Sequence, residues 1–372
     1  MDYTPFSYRS RHYVLLSFIA LALCMLLTAC DMSGSTSSSN YGTGGNGSGT
    51  GNSNGGSAGS TGPIGTGTQG VQVFVEPDAG DRVITNAIDG AKQSLWLEMY
   101  LLTDRKIINA LESAAHRGLD VRVMLEAHPY GSGGSLSPRG TLDKLSAAGV
   151  KAQPTSPIFS LTHEKGMIID GNTAYIMTSN FTLSALGGSS QTQNREYGIV
   201  DTNQQDVQGV INIFNADWNH SNAQVNDPNL VVSPENSRQD FISLINAAHR
   251  SLAIEAEEMQ DDEVEQALVS AAKRGVQVQV ILPAPTGSSG DSNSQGIATI
   301  KQGGVTVKED PRLYMHAKII LVDGQKAFVG SENISTASLN RNRELGIVVA
   351  DQNVLNTLQQ TFQQDWGDST TT

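Results

Sequence analysis

Two stretches of this chain place the same residue types at the same spacing: His163, Lys165 and Asp170, then His316, Lys318 and Asp323. In a chain of 372 residues with 7 histidines, one His-x-Lys-x4-Asp match alone carries little weight. Its recurrence in matching surroundings carries much more. Fifteen residues past each histidine stands a hydroxyl, Thr178 or Ser331, and seventeen past it an amide, Asn180 or Asn333. Farther on, Asn194-Arg195-Glu196 is echoed by Asn342-Arg343-Glu344, each followed one residue later by Gly-Ile-Val. Two imidazoles and two ammonium groups brought to one point could cleave a phosphodiester. Histidine titrates near neutrality and serves as nucleophile or proton carrier, while the lysines steady charge developing on phosphoryl oxygens.

Such a site needs two copies of one scaffold, and the chain supplies them. An offset of 157 aligns Leu95-Trp96-Leu97-Glu98 with Leu252-Ala253-Ile254-Glu255, and Ala115-His116-Arg117-Gly118 with Ala272-Lys273-Arg274-Gly275. Each half is expected to open with a helix, 79–92 or 238–250, followed by a strand and a second helix. Asp104 or Asp261 can cap that second helix, Ile107, Leu111 and Ala114 recur at helical spacing, and Gly118 or Gly275 can end it. Runs 119–125 and 276–282 read as buried strands. After each histidine come a strand, an Asp-Gly hairpin turn and another strand, at 166–169 and 173–177 or 319–322 and 326–330. The pattern is α/β, with helices covering mixed sheets.

The amino-terminal stretch has a different character. Arg9 and Arg11 precede an apolar run, 14–27, too short for a comfortable membrane span. The run ends in Leu27-Thr28-Ala29-Cys30, which resembles the lipobox of bacterial lipoproteins. Residues 1–29 are therefore expected to be a removed signal peptide, with Cys30 lipidated as the mature N-terminus. Asp31 resembles the inner-membrane retention signal of enterobacterial lipoproteins. Cys24, the other of the two cysteines, leaves with the signal, so the mature chain can form no disulfide framework and no cysteine metal site. From 30 to 70 the composition is Ser, Gly, Thr and Asn, which cannot bury enough surface to fold. This is expected to be a disordered tether with a reach of roughly 35 Å. The remainder divides at the repeat into an N-terminal lobe, 71–222, and a C-terminal lobe, 223–372. A net charge of −13 without blocks of like charge argues against tight nonspecific binding to duplex nucleic acid.

Across about residues 71–368 the doubled motif resembles the phospholipase D superfamily, whose members carry paired HxKxxxxD motifs followed by a GSxN-like segment. The resemblance implies two similar α/β/α lobes with mixed sheets packed as a pseudo-dimer, the motifs meeting at the interface. It implies that one imidazole attacks phosphorus to give a phosphohistidine. The other protonates the leaving oxygen and then activates water or an acceptor alcohol. The family's usual order makes His163 the nucleophile and His316 the acid, although the residues themselves are symmetric. Lys165, Lys318, Asn180 and Asn333 would bind the phosphate, with Thr178 and Ser331 as secondary donors. Glu196 and Glu344 match the residue that orients an imidazole, while Asp170 and Asp323 would support strand and turn. No metal and no other cofactor is implied. The first half departs from the pattern at Met177, where the second has Gly330, and a methionine there could narrow the pocket.

The leading expectation is a membrane-anchored phospholipase D that releases phosphatidic acid, in a bacterial cell envelope and facing the periplasm or exterior. Its partners would be phospholipid and the membrane surface reached through the lipid anchor, with nucleic acid less favoured and no obligate protein partner. The alternatives are a cardiolipin synthase-like phosphatidyltransferase, a metal-independent nuclease, and a silent lipid-binding scaffold. His116 and His249 read as solvated helix positions, and His128 and His220 as surface residues near the cleft. Trp96, Trp218 and Trp366 read as core or lobe packing. The acidic run Glu255, Glu257, Glu258, Asp261, Asp262, Glu263 reads as a partly solvated helix entry. If Cys30 carries the lipid, Cys30→Ser moves the protein from the membrane pellet to the soluble fraction; unchanged sedimentation with membranes would refute the lipobox.

Overall fold

The computed structural model describes residues 64–130, 137–285 and 291–372. Cys30, the signal peptide and most of the tether lie outside the described residues. Two eight-stranded mixed sheets carry the repeat. In the first, the strand order is Gln72–Glu76, Asn194–Asp201, Thr173–Met177, Lys165–Ile169, Ser94–Met99, Asp120–Leu125, Lys151–Pro154. The second runs Leu230–Ser233, Glu344–Val349, Lys326–Gly330, Lys318–Val322, Ser251–Ala256, Gln277–Pro283, Thr306–Asp310, and ends in Thr370–Thr371. Through seven strands the two orders and directions coincide: antiparallel through the histidine hairpin, then parallel beyond Ser94–Met99 or Ser251–Ala256. The eighth member of the first sheet is Tyr314–Met315, a short strand lent by the other half.

Strand periodicity explains how one chain builds three cores. Successive side chains point to opposite faces, so an unbroken apolar strand feeds both. In Lys318–Val322, Ile319 and Leu321 enter a core shared by the two halves, whereas Ile320 and Val322 enter the outer core of the second half. Ile168 likewise joins the shared core, and Met167 and Ile169 the outer core of the first half. Outer helices such as Arg105–His116 and Asp262–Lys273 cover those outer faces. Asp104 caps the first by accepting from Lys106 N and Ile107 N, and Asp261 caps the second through Val264 N. Gly118 and Gly275 follow with φ of 88° and 92°, a backbone shape that ends a helix at little cost for glycine. Helices Gln204–Trp218 and Gln352–Asp368 bring Phe214 and Phe362 to the shared core, stacked on Trp218 and Trp366.

Residues 64–70, which composition assigns to the tether, are held by hydrogen bonds. Gly65 N donates to Pro228 O at 2.7 Å, and Thr68 exchanges backbone bonds with Val348 and Ala350. Residues 64–70 thus dock on the second half before the chain enters the first sheet, because their backbone finds partners that composition alone does not reveal. Among the described residues no helix is long and apolar enough to cross a membrane.

Asp170 and Asp323 occupy the left-handed region, φ 52° and 55°, each followed by a glycine in the same region. This is the tight hairpin that Asp-Gly favours. The Asp170 carboxylate accepts the backbone N–H groups of Lys92, Gln93 and Ser94, and Asp323 those of His249, Arg250 and Ser251, each within 3.0 Å. They pin the start of the neighbouring strand to the histidine hairpin and touch nothing in the cleft. Asp323→Ala is expected to cost about 1–3 kcal/mol in denaturant unfolding, with Asp323→Asn losing less; wild-type stability in both would remove this role.

Candidate active site

Each histidine arrives on a segment paired with the opposite half. His163 N donates to Arg343 O at 2.8 Å, and Arg343 N to Leu161 O at 3.0 Å. In the other direction Tyr314 N donates to Gln193 O at 3.0 Å, two residues ahead of His316. Both imidazoles consequently line one cavity of about 360 Å³, together with Tyr100, Glu257, Asn333 and Asn342.

The glutamates complete the exchange. His163 Nδ1 lies 3.0 Å from Glu344 Oε2, and His316 Nδ1 lies 2.8 Å and 2.9 Å from the two oxygens of Glu196. Each ring is therefore oriented by the carboxylate of the other half. For His163 this leaves Nε2 toward the cavity. The sequence reading of Thr178 and Ser331 as phosphate donors is corrected by the same geometry. Thr178 Oγ1 donates to Glu196 at 2.6 Å and Ser331 Oγ to Glu344 at 2.7 Å, and both residues are fully buried. Their hydroxyls are spent holding the glutamates.

Electrostatics differ between the half-sites. Burial pulls the His163 imidazole below its usual value, with Lys165 and Lys318 acting in the same direction against Glu344. Burial also brings the Lys165 ammonium down to about 7. That ammonium donates to His163 O and lies 5.2 Å from the Tyr100 ring centroid. Burial alone would raise Glu344, but His163, Lys165 and Ser338 outweigh it and hold the carboxyl below the usual range. Asn180 is buried at the same end, its Oδ1 without a partner. In the second half Lys318 Nζ donates to Glu257 Oε2 at 2.9 Å and to His316 O at 2.6 Å.

Glu257 is the functional-site residue that the sequence reading missed. The acidic run reads as a partly solvated helix entry, yet Glu255 is fully buried, Asp261 is a cap, and Glu257 and Glu258 face the cavity of the two imidazoles. One signal was available: both follow directly on the carboxyl end of Ser251–Ala256, where open α/β sheets bind ligands.

Met177 does not narrow the pocket. Its side chain packs in the outer core of the first half with Phe74 and Phe181, and it lies opposite Gly198 in the sheet. His116 and His249 are exposed helix-end and loop positions. His128 and His220 are also exposed, and line a second cavity of about 460 Å³ that shares only Leu161 with the cavity of the two imidazoles. Among the described residues, Glu98, Glu164 and Asp217 alone have metal-ligating proximity. Burial raises Glu98 well above the carboxylate range and Glu164 to about 8, and Arg343 holds Asp217 at 2.7 and 3.1 Å. Protonated acids beside a guanidinium are a poor cation site.

A family model described as cardiolipin synthase, PLD-like domain, matches residues 84–218 and again 241–366. A probable cardiolipin synthase of Bacillus subtilis is 24% identical over 328 residues, covering 77% of this chain and 64% of that protein. Cardiolipin synthase A of Pseudomonas aeruginosa is 21% identical over 336 residues, covering 80% and 67%. The chain thus spans about two thirds or less of the length of these relatives. Among solved structures, a phosphatidylserine synthase of Haemophilus influenzae superposes with a TM-score of 0.62 at 13% identity, covering 82% of this chain and 88% of that one. A polyphosphate kinase of Porphyromonas gingivalis gives 0.62 at 15% identity, covering 79% and 46%. These structural likenesses bear on the fold.

If Lys165 must be charged to hold a phosphoryl group, kcat/KM on a phosphodiester should fall as pH rises through about 7, its buried value. Lys165→Arg should carry that basic limb upward in whatever activity remains, because a guanidinium keeps its proton. A limb that stays in place would exclude Lys165 as its origin.

Proposed function

The chain belongs to the phospholipase D superfamily, and on that premise we propose that it is a phosphatidyltransferase of the cardiolipin synthase kind, acting on phospholipid through a phosphohistidine. The observation that carries this reading is the pair of imidazoles in one cavity, each oriented by a glutamate of the opposite half. His163 Nε2 attacks phosphorus while the bond to the leaving alcohol breaks and His316 gives that oxygen its proton. An acceptor alcohol then returns a proton to His316, its oxygen bonds to phosphorus, and His163 is released. Burial, which disfavours the charged form of the His163 imidazole, supports it as the nucleophile. In this reading Lys165, which donates to His163 O, Lys318, which donates to Glu257, and Asn333, in the cavity wall, stabilise the charge that develops.

Hydrolysis uses the same intermediate with water as acceptor, and it was the first expectation from sequence. The family description and the names of the relatives favour transfer to an alcohol. The Glu257 carboxylate in the cavity wall and a net charge of −13 count against a nuclease. The lipobox and tether support a site at a bacterial membrane surface, where lipid acceptors are concentrated and water competes less.

Full-length protein given phosphatidylglycerol vesicles without added metal should form cardiolipin and glycerol. His163→Ala and His316→Ala should each lower the rate by about a thousandfold or more. Phosphatidic acid as the sole product would make the enzyme a hydrolase, and cleavage of single-stranded DNA alone would make it a nuclease.

A further inference from the structure

The two half-sites have the same backbone and different charge. Met99 pairs with Lys165 in the first sheet, and Ala256 pairs with Lys318 in the second, so the residues that follow, Tyr100 and Glu257, occupy equivalent places. In the first half that place is neutral: the Tyr100 ring stands edge-on to His163, centroids 4.6 Å apart, and its hydroxyl accepts from Tyr130 N at 2.6 Å. In the second half it is a carboxylate. Glu257 Oε2 accepts from Lys318 Nζ at 2.9 Å and Asn333 Nδ2 at 3.4 Å, and lies 3.4 Å from His316 Nε2. Its other oxygen accepts from the Tyr314 hydroxyl at 3.0 Å. Burial opposes ionisation of Glu257, but His316 and Lys318 outweigh burial and hold it well below the usual carboxylate range.

Glu257, held by Lys318 and Asn333 beside His316, therefore presents a fixed negative charge to the donors that a phosphoryl oxygen would use. Each further negative charge on the phosphoryl group increases the repulsion, and in a partly desolvated cavity that repulsion is strong. A phosphodiester carries one negative charge, while a phosphomonoester approaches two at neutral pH and above.

We propose that Glu257 is a specificity-determining residue, a charge filter that admits phosphodiester monoanions to the catalytic cavity and rejects phosphomonoester dianions. The filter rests on the reading of this cavity as a phosphodiester site and deepens it. Phosphatidic acid, the monoester that water would leave, is poorly held, and the site stays open to diester lipids.

The test compares dimethyl phosphate with methyl phosphate, matched in size and differing in charge, binding to the full chain at about pH 8 by phosphorus NMR titration. Wild type should prefer the diester, and Glu257→Gln, which keeps the shape and removes the charge, should shift that preference about tenfold toward the monoester. Tyr314→Phe removes the hydroxyl but leaves the charge, and should keep the wild-type preference. An unmoved ratio in Glu257→Gln, or equal shifts in both variants, would overturn the filter. Turnover of a chromogenic aryl phosphodiester by wild type separates the two readings. Turnover with an unmoved ratio sinks the filter alone, while no turnover and no binding of either probe sinks the phosphodiester site and the filter with it.

Discussion

The site depends on one reciprocal exchange of charged groups across the interface between the halves. Arg343 is fully buried and grips Asp217 with two nitrogens, at 2.7 and 3.1 Å; Arg195 grips Asp365 in the same way, at 2.6 and 2.8 Å. The residue after each arginine, Glu344 or Glu196, reaches the histidine of the other half. Breaking a buried pair by removing one partner leaves an uncompensated charge, which commonly costs about 3–5 kcal/mol. Two adjacent residues thus anchor the interface and orient the chemistry, so the halves cannot slide without misplacing both imidazoles.

That arrangement explains why hydroxyls expected at the phosphate are found elsewhere. An ionised carboxylate has more acceptor capacity than one imidazole can fill, and in a buried setting the remainder must be met by donors. Thr178 and Asn194 meet it for Glu196, and Ser331 and Ser338 for Glu344. The hydroxyl in the repeated motif acts on the glutamate that orients the ring, one step removed from the phosphoryl group.

Pseudo-symmetry of backbone coexists with asymmetry of charge. The strand order, the Asp-Gly hairpins and the helix caps are duplicated, whereas Tyr100 opposite Glu257 makes one half-site neutral and aromatic and the other anionic. In the proposed two-step transfer one imidazole attacks while the other carries the proton, and this inequality gives the two rings different surroundings for those roles.

The sequence by itself determined the fold class and the repeat, which show in two halves that match at an offset of 157, and the caps at Asp104 and Asp261, the hairpins at Asp170 and Asp323, and the histidines and lysines, because each of these rests on spacing within a few residues. Tertiary structure alone decided which glutamate serves which histidine, as those partners lie 181 and 120 residues apart and nothing local distinguishes one pairing from the other. It also docked residues 64–70 on the folded domain, turned Met177 into the outer core, and drew Glu257 from an apparently solvated run into the cavity. In each case a residue's role is set by what packs against it from far along the chain, and spacing within a segment carries no record of that.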